Sequence, residues 1–196
     1  MKLHLLGSSR NDADAQLVQS LQQQAVELGL TNTNVEFVVN APYSKLQELM
    51  QTVSIGIHCM WNEHFGISIV EMMAAGMVMI AHNSGGPQKD IMVPLKDGQI
   101  VGYVAASIEE YADRLADALS LSAGEAMRVR LSARQSVQER FGDMVIEEQV
   151  VALFNHILHK NPDYKGNVIK EESSSGYSAS ASSKRRSIKR KSVSKK

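Results

Sequence analysis

The chain has 196 residues, 21 basic against 21 acidic, one Cys, 43% apolar and 5% aromatic, enough to fill one core or two small ones. The neutral total hides a division: residues 173–196 hold eight Lys or Arg and no acidic residue, leaving 13 basic against 21 acidic in 1–172. Cys59 alone excludes an intrachain disulfide framework and favours a reducing compartment. Glu71 interrupts the longest apolar run, 65–81, so none reaches the ~20 residues of a membrane-spanning helix. The start does not read as a signal peptide, and the chain is not expected to span a membrane by itself.

Short Val- and Ile-rich runs alternate with stretches of helical period, the pattern of a parallel sheet covered by helices on both faces. The expected class is α/β and Rossmann-like. The apolar runs predict strands at 2–6, 35–39, 53–58, 78–81 and 100–104. Helices are predicted at 13–28, 44–51 and 66–75, with Gly29 and Gly76 where helices commonly stop. Ser107 with Glu110, and Ser122 with Glu125, fit capping boxes that open helices at 108–120 and 123–140. A last amphipathic stretch, 143–159, directs Val145, Val150, Leu153, Ile157 and Leu158 towards a core, and Asn161-Pro162 ends it. The expected division is a folded domain at 1–162 and a tail at 163–196. Ten Ser in the last 24 residues, with little that is apolar, predict disorder there.

The informative stretch is WNEHFGISIVEMMAAG, Trp61 to Gly76, lying between two predicted strands. Its helix is apolar almost all round Glu71, which predicts burial. An ionised carboxylate there needs a cation, a set of donors, or a cleft filled by a ligand. The vicinal hydroxyls of a ribose would serve, since a diol can donate to both oxygens of one carboxylate. The helix start beside Gly66 presents free amides at the carboxyl edge of the sheet, which suits a diphosphate. Glu63, just before it, tolerates that neighbour if it accepts hydrogen bonds from neutral sugar hydroxyls.

Glu63 and Glu71 have the Glu-x7-Glu spacing, and the strings IHCMWNEHFGISIVEMMAAG and AHNSGGPQKDIMVP follow one another. These residues resemble the retaining glycosyltransferases of family 4, which have the two-domain GT-B fold. Within that family they look like the α-1,2-mannosyltransferases of dolichol-linked oligosaccharide assembly. The likeness runs from about Leu3 to Phe154 and includes GSSRND and VEFVVNAPYSKL. It implies GDP-mannose as donor, a mannose-bearing glycan on dolichyl diphosphate as acceptor, and the cytosolic face of the endoplasmic reticulum as the place of reaction. Glu71 would hold the ribose hydroxyls and Glu63, the catalytic position, those of the transferred mannose. The backbone of Phe65, Gly66 and Ile67 would meet the diphosphate, and Asn40 and Ala41 would edge the guanine; apart from the likeness, His64 lines the pocket or satisfies loop carbonyls. The likeness implies no bound metal or other cofactor and names no protein nucleophile. The Arg and Lys pair that neutralises the donor diphosphate in this family precedes the matched segment and has no counterpart here. The chain is therefore expected to be the C-terminal donor-binding half, without the domain that carries the acceptor, and nearly inactive alone.

Other signals stay open at this level. Arg10, following Gly7-Ser8-Ser9 at the end of the first strand, either replaces part of the missing positive charge or is a solvated loop residue. Gly85-Gly86-Pro87 is a turn or part of the cleft. Trp61 stacks on a ring or packs over the sheet edge. His58, His64 and His82 match no familiar metal-ligand spacing. The basic run at 184–191 is a solvated tail, or binds anionic lipid, nucleic acid or an import receptor. A nucleotide-sugar-binding module without transfer activity is the alternative to an enzyme fragment.

Overall fold

The computed structural model describes residues 1–160; the expected end of the domain at Pro162 and the Ser/Lys/Arg-rich tail lie outside the described residues. The elements run β1 (Leu3–Gly7), α1 (Asp12–Glu27), β2 (Val35–Val39), α2 (Tyr43–Thr52), β3 (Ile55–His58), α3 (Ile67–Ala75), β4 (Val78–His82), a π-helical turn (Pro87–Ile91), β5 (Gly102–Ala105), α4 (Ile108–Ser120), α5 (Ala123–Phe141) and α6 (Asp143–His159). Every strand pairing is parallel. The ladder is in two pieces, β1 with β2 and then β3-β4-β5.

β4 is the centre of the larger sheet, and its alternation explains the core. Met79 and Ala81 face one layer with Ile69, Val70 and Met73 of α3 and Ala133 of α5. Val78 and Ile80 face the opposite layer with Ala118 of α4 and Val129 of α5. A strand covered on both faces has to be apolar on both, as the continuous run VMIA is. The β1-β2 pair is far less covered: α1 buries no residue, and only Val35 and Val38 of these two strands are buried.

Local chemistry sets the helix ends. Asn11 caps α1 by accepting from the Asp14 amide, and Ser122 forms the full capping box with Glu125. At α4, Ser107 accepts from the Glu110 amide, but the Glu110 carboxylate accepts from Ala106 rather than closing on Ser107. Gly76 ends α3 at φ 90°, donating to Met73 while Met77 donates to Met72, a closure that needs a left-handed residue. α6 forms over the predicted residues, yet none is buried, and Val150, Leu153 and Ile157 stay exposed. Val145 and Leu158 are half-buried.

Candidate functional site

The loop from Cys59 to Gly66 leaves β3 at its carboxyl end and is held by the loop that leaves β4 beside it. The Gly86 amide donates to the Glu63 carbonyl at 2.8 Å, and the Asn62 amide donates to Ser84 Oγ at 2.9 Å. Ser84 Oγ is also 2.8 Å from Nδ1 of His82. A Cβ on Gly85 would collide with the Glu63 carbonyl oxygen, and one on Gly86 with the His64 carbonyl and the Phe65 Cα. The double glycine is thus the floor under the acidic loop. It has a packing role that the dipeptide alone did not reveal, and the sequence reading missed Ser84 and Asn62. On the other side, the Tyr111 hydroxyl donates to the His58 carbonyl at 3.0 Å. Burial, then the nearby Cys59, push this phenol up to about 12, so it remains a donor throughout the neutral range.

α3 begins on Gly66 at φ 92° with no side-chain cap, unlike α1, α4 and α5. The Ile69 and Val70 amides turn back to the Gly66 carbonyl. Among the described residues those of Ile67 and Ser68 have no acceptor. A capping Ser or Asp would have occupied them; a glycine leaves a donor pair at the positive end of the helix dipole. Glu63 lies beside this mouth, with its Cγ 3.4 Å from where a Gly66 Cβ would stand. Phe65 packs edge-on against Phe141, ring centroids 5.5 Å apart.

Glu71 corrects one expectation. It is exposed, not buried, because α3 turns Ile69, Val70 and Met73 to the core, with Met72 packed beside them, and leaves Glu71 on the other side. Ile67, Glu71 and Ala74 share the outward face and are all exposed, as their spacing of about one turn requires. The desolvation argument for a partner does not apply to this chain alone. Glu71 is instead an open carboxylate on an apolar stripe, one turn beyond the free amides. Trp61 is exposed too, so it does not pack over the sheet edge.

The remaining candidates sit on the β1-β2 pair. Asn40, at φ 52°, accepts from the Ser9 amide at 2.9 Å and donates back to its carbonyl at 3.3 Å, joining the ends of β1 and β2 next to Ala41. Arg10 is exposed, and its Nε is 3.1 Å from Asp14 Oδ2. Hydrogen bonds from the Arg10 backbone, and then its side chain, hold Asp14 below the usual carboxylate range. Among the described residues no hydrogen bond joins Asn40, Ala41 or Arg10 to the Glu63 loop. No helix among the described residues is long and apolar enough to cross a membrane.

Comparison with known proteins gives this geometry a context. A GDP-Man:Man(3)GlcNAc(2)-PP-Dol alpha-1,2-mannosyltransferase of Mus musculus is 48% identical over 158 residues, covering 81% of this chain and 32% of its own length. The Homo sapiens protein of that name is 46% identical over 147 residues, covering 75% and 29%. The chain thus spans about a third of the relatives it matches. Among solved structures, HepE of Anabaena in complex with UDP superposes with a TM-score of 0.68 at 21% identity, covering 80% of this chain and 41% of that one. Sucrose-phosphate synthase of Thermosynechococcus elongatus does so with 0.66 at 20%, covering 82% and 39%. At these identities the structures speak for the fold alone. Residues 1–136 match the family described as Glycosyl transferases group 1, and the chain belongs to it.

Proposed function

We propose that this chain is the donor-binding part of a retaining mannosyltransferase. It would move mannose from GDP-mannose to a dolichyl-diphosphate-linked oligosaccharide in α-1,2 linkage. The observation that carries this reading is identity of 48% and 46% to two relatives that share one activity name, extending over at least three quarters of the chain. In this reading the backbone of Phe65, Gly66 and Ile67 meets the diphosphate, with the acceptor-free amides of Ile67 and Ser68 at the mouth of α3 donating to it. Their fixed orientation adds favourable interaction without reorganisation as charge builds on the leaving group. Glu71 accepts from the two ribose hydroxyls. Glu63, held by the Gly86 amide through its own carbonyl, accepts from the mannose, and His64 lines the same mouth. Asn40 and Ala41 edge the base.

Arg10 serves the diphosphate only by giving up Asp14. The acceptor is held by polypeptide of the kind the relatives carry outside the matched stretch, at the cytosolic face of the endoplasmic reticulum, with the basic tail against anionic lipid. The test is binding of GDP against UDP by calorimetry on the 196-residue chain. The reading expects GDP to bind at least about tenfold more tightly, equivalent to ~1.4 kcal/mol. Equal or weaker binding of GDP would remove the donor assignment.

A further inference from the structure

Two hydrogen bonds from the loop after β4 bracket Asn62 and Glu63 in the loop after β3. At one end the Asn62 amide donates to Ser84 Oγ at 2.9 Å; at the other the Glu63 carbonyl accepts from the Gly86 amide at 2.8 Å. Asn62 needs such a restraint, because its φ of 55° is left-handed, a conformation that Asn reaches more readily than most residues but does not prefer. The Gly86 bond joins backbone to backbone. Among the described residues Ser84 is the one side chain that hydrogen-bonds to the backbone of 59–66. The restrained turn brings Glu63 to the mouth of α3, its Cγ 3.4 Å from where a Gly66 Cβ would stand.

Ser84 is itself tied, since its Oγ is 2.8 Å from Nδ1 of His82. A hydroxyl has one proton to give and two acceptor positions. The Asn62 amide fills one acceptor position, and no third partner reaches this oxygen among the described residues. The proton is matched by a neutral imidazole that carries its own proton on Nε2 and accepts at Nδ1. Nothing among the described residues accepts from Nε2, so Ser84 alone selects that tautomer. His82 is half-buried, and its ring contacts that of Tyr111 with centroids 6.4 Å apart. The Tyr111 hydroxyl donates to the His58 carbonyl, where the same loop begins. Tyr111 thus ties the root of the loop, Ser84 ties its turn, and His82 contacts both.

We propose that Ser84 and His82 are positioning residues for Glu63: Ser84 donates to His82 Nδ1, accepts from the Asn62 amide, and so holds Glu63 where it selects a sugar-bearing nucleoside diphosphate over the bare one. The chain of bonds has one direction, and each bond polarises the next. It restrains residues 62 and 63 only. The acceptor-free amides of Ile67 and Ser68, and Glu71, lie beyond Gly66 on α3 and do not depend on it. The proposal rests on the reading that Glu63 receives the sugar of the donor.

The experiment compares the 196-residue chain with Ser84→Ala and Ser84→Thr, by calorimetry with GDP and GDP-mannose and by nitrogen–proton NMR. The parent should prefer GDP-mannose and show His82 protonated on Nε2. In Ser84→Ala the Asn62 amide should exchange about tenfold or more faster. That variant should keep its GDP affinity within about twofold and bind GDP-mannose about threefold to tenfold more weakly, the share of one hydrogen bond. Ser84→Thr retains the hydroxyl and should restore the preference. A parent that does not prefer GDP-mannose would remove the reading of Glu63 and this proposal with it. A parent preference that survives in Ser84→Ala would overturn the proposal alone. So would equal losses for GDP and GDP-mannose, which would mark Ser84 as merely structural, or a Ser84→Thr that behaves as Ser84→Ala does. Should Ser84→Ala fail to fold, the parent decides: a His82 proton on Nδ1 overturns the proposal, and one on Nε2 upholds it.

Discussion

The amide of Gly86 donates to the carbonyl of Glu63 at 2.8 Å, so the backbone of the acidic loop is fixed by a residue that has no side chain to contribute. The backbone from which the Glu63 side chain projects is thereby held by the loop that follows β4.

A methyl group at Gly86 has no room, since the obstructing atoms are the backbone of His64 and Phe65. Gly86→Ala is expected to cost about 1–3 kcal/mol, the usual range for overpacking. The same change at Gly7, where nothing lies within 4 Å, should cost less than about 1 kcal/mol. Urea denaturation of the two variants makes the comparison; equal midpoints would show that the floor yields without strain.

Arg134 of α5 donates from Nε to the Ala74 carbonyl at 3.2 Å and from Nη2 to that of Ala75 at 2.7 Å. It satisfies free carbonyls at the negative end of α3, on the helix that carries Glu71. Arg134→Met retains the aliphatic stem and removes both bonds. The expected loss is about 0.5–1.5 kcal/mol, seen as a fall of about 1–6 °C in melting temperature. No fall would mean that water caps this helix equally well.

Asp14 is held below its ordinary value of 3.8, first by the Arg10 backbone amide and next by the Arg10 side chain. A depressed folded-state value contributes stability above the unfolded value, and that contribution is lost as pH falls through the folded one. The window therefore lies below 3.8, well away from neutral pH. In Arg10→Ala the amide bond persists, so the Asp14 titration should move up while remaining below 3.8, as carbon-detected NMR would record. An unmoved titration would show Arg10 free for other partners.

Much of the fold was legible because its signals are local. The run VMIA at β4, the hydroxyl caps at Ser107 and Ser122, and the left-handed stop at Gly76 each carry their own physical reason. The exposure of Glu71 was not legible: an apolar helix reads as covered all round, whereas here the covered side is that of Ile69, Val70, Met72 and Met73. Ser84 and Asn62 were missed because their contacts cross between loops 22 residues apart in sequence, and no periodicity reports such a distance. The spacing of Glu63 and Glu71 was visible; the free amides between them needed the observation that Gly66 caps nothing.

The central claim is that the mouth of α3 and the outward Glu71 together hold a nucleoside diphosphate. Titration calorimetry of GDP into the folded chain and into Glu71→Ala and Glu63→Ala tests it most directly. Glu71→Ala should bind GDP about tenfold to a hundredfold more weakly, the range for hydrogen bonds to a charged group, while Glu63→Ala should match the parent for GDP and lose its preference for GDP-mannose. Undiminished GDP affinity in Glu71→Ala would contradict the account.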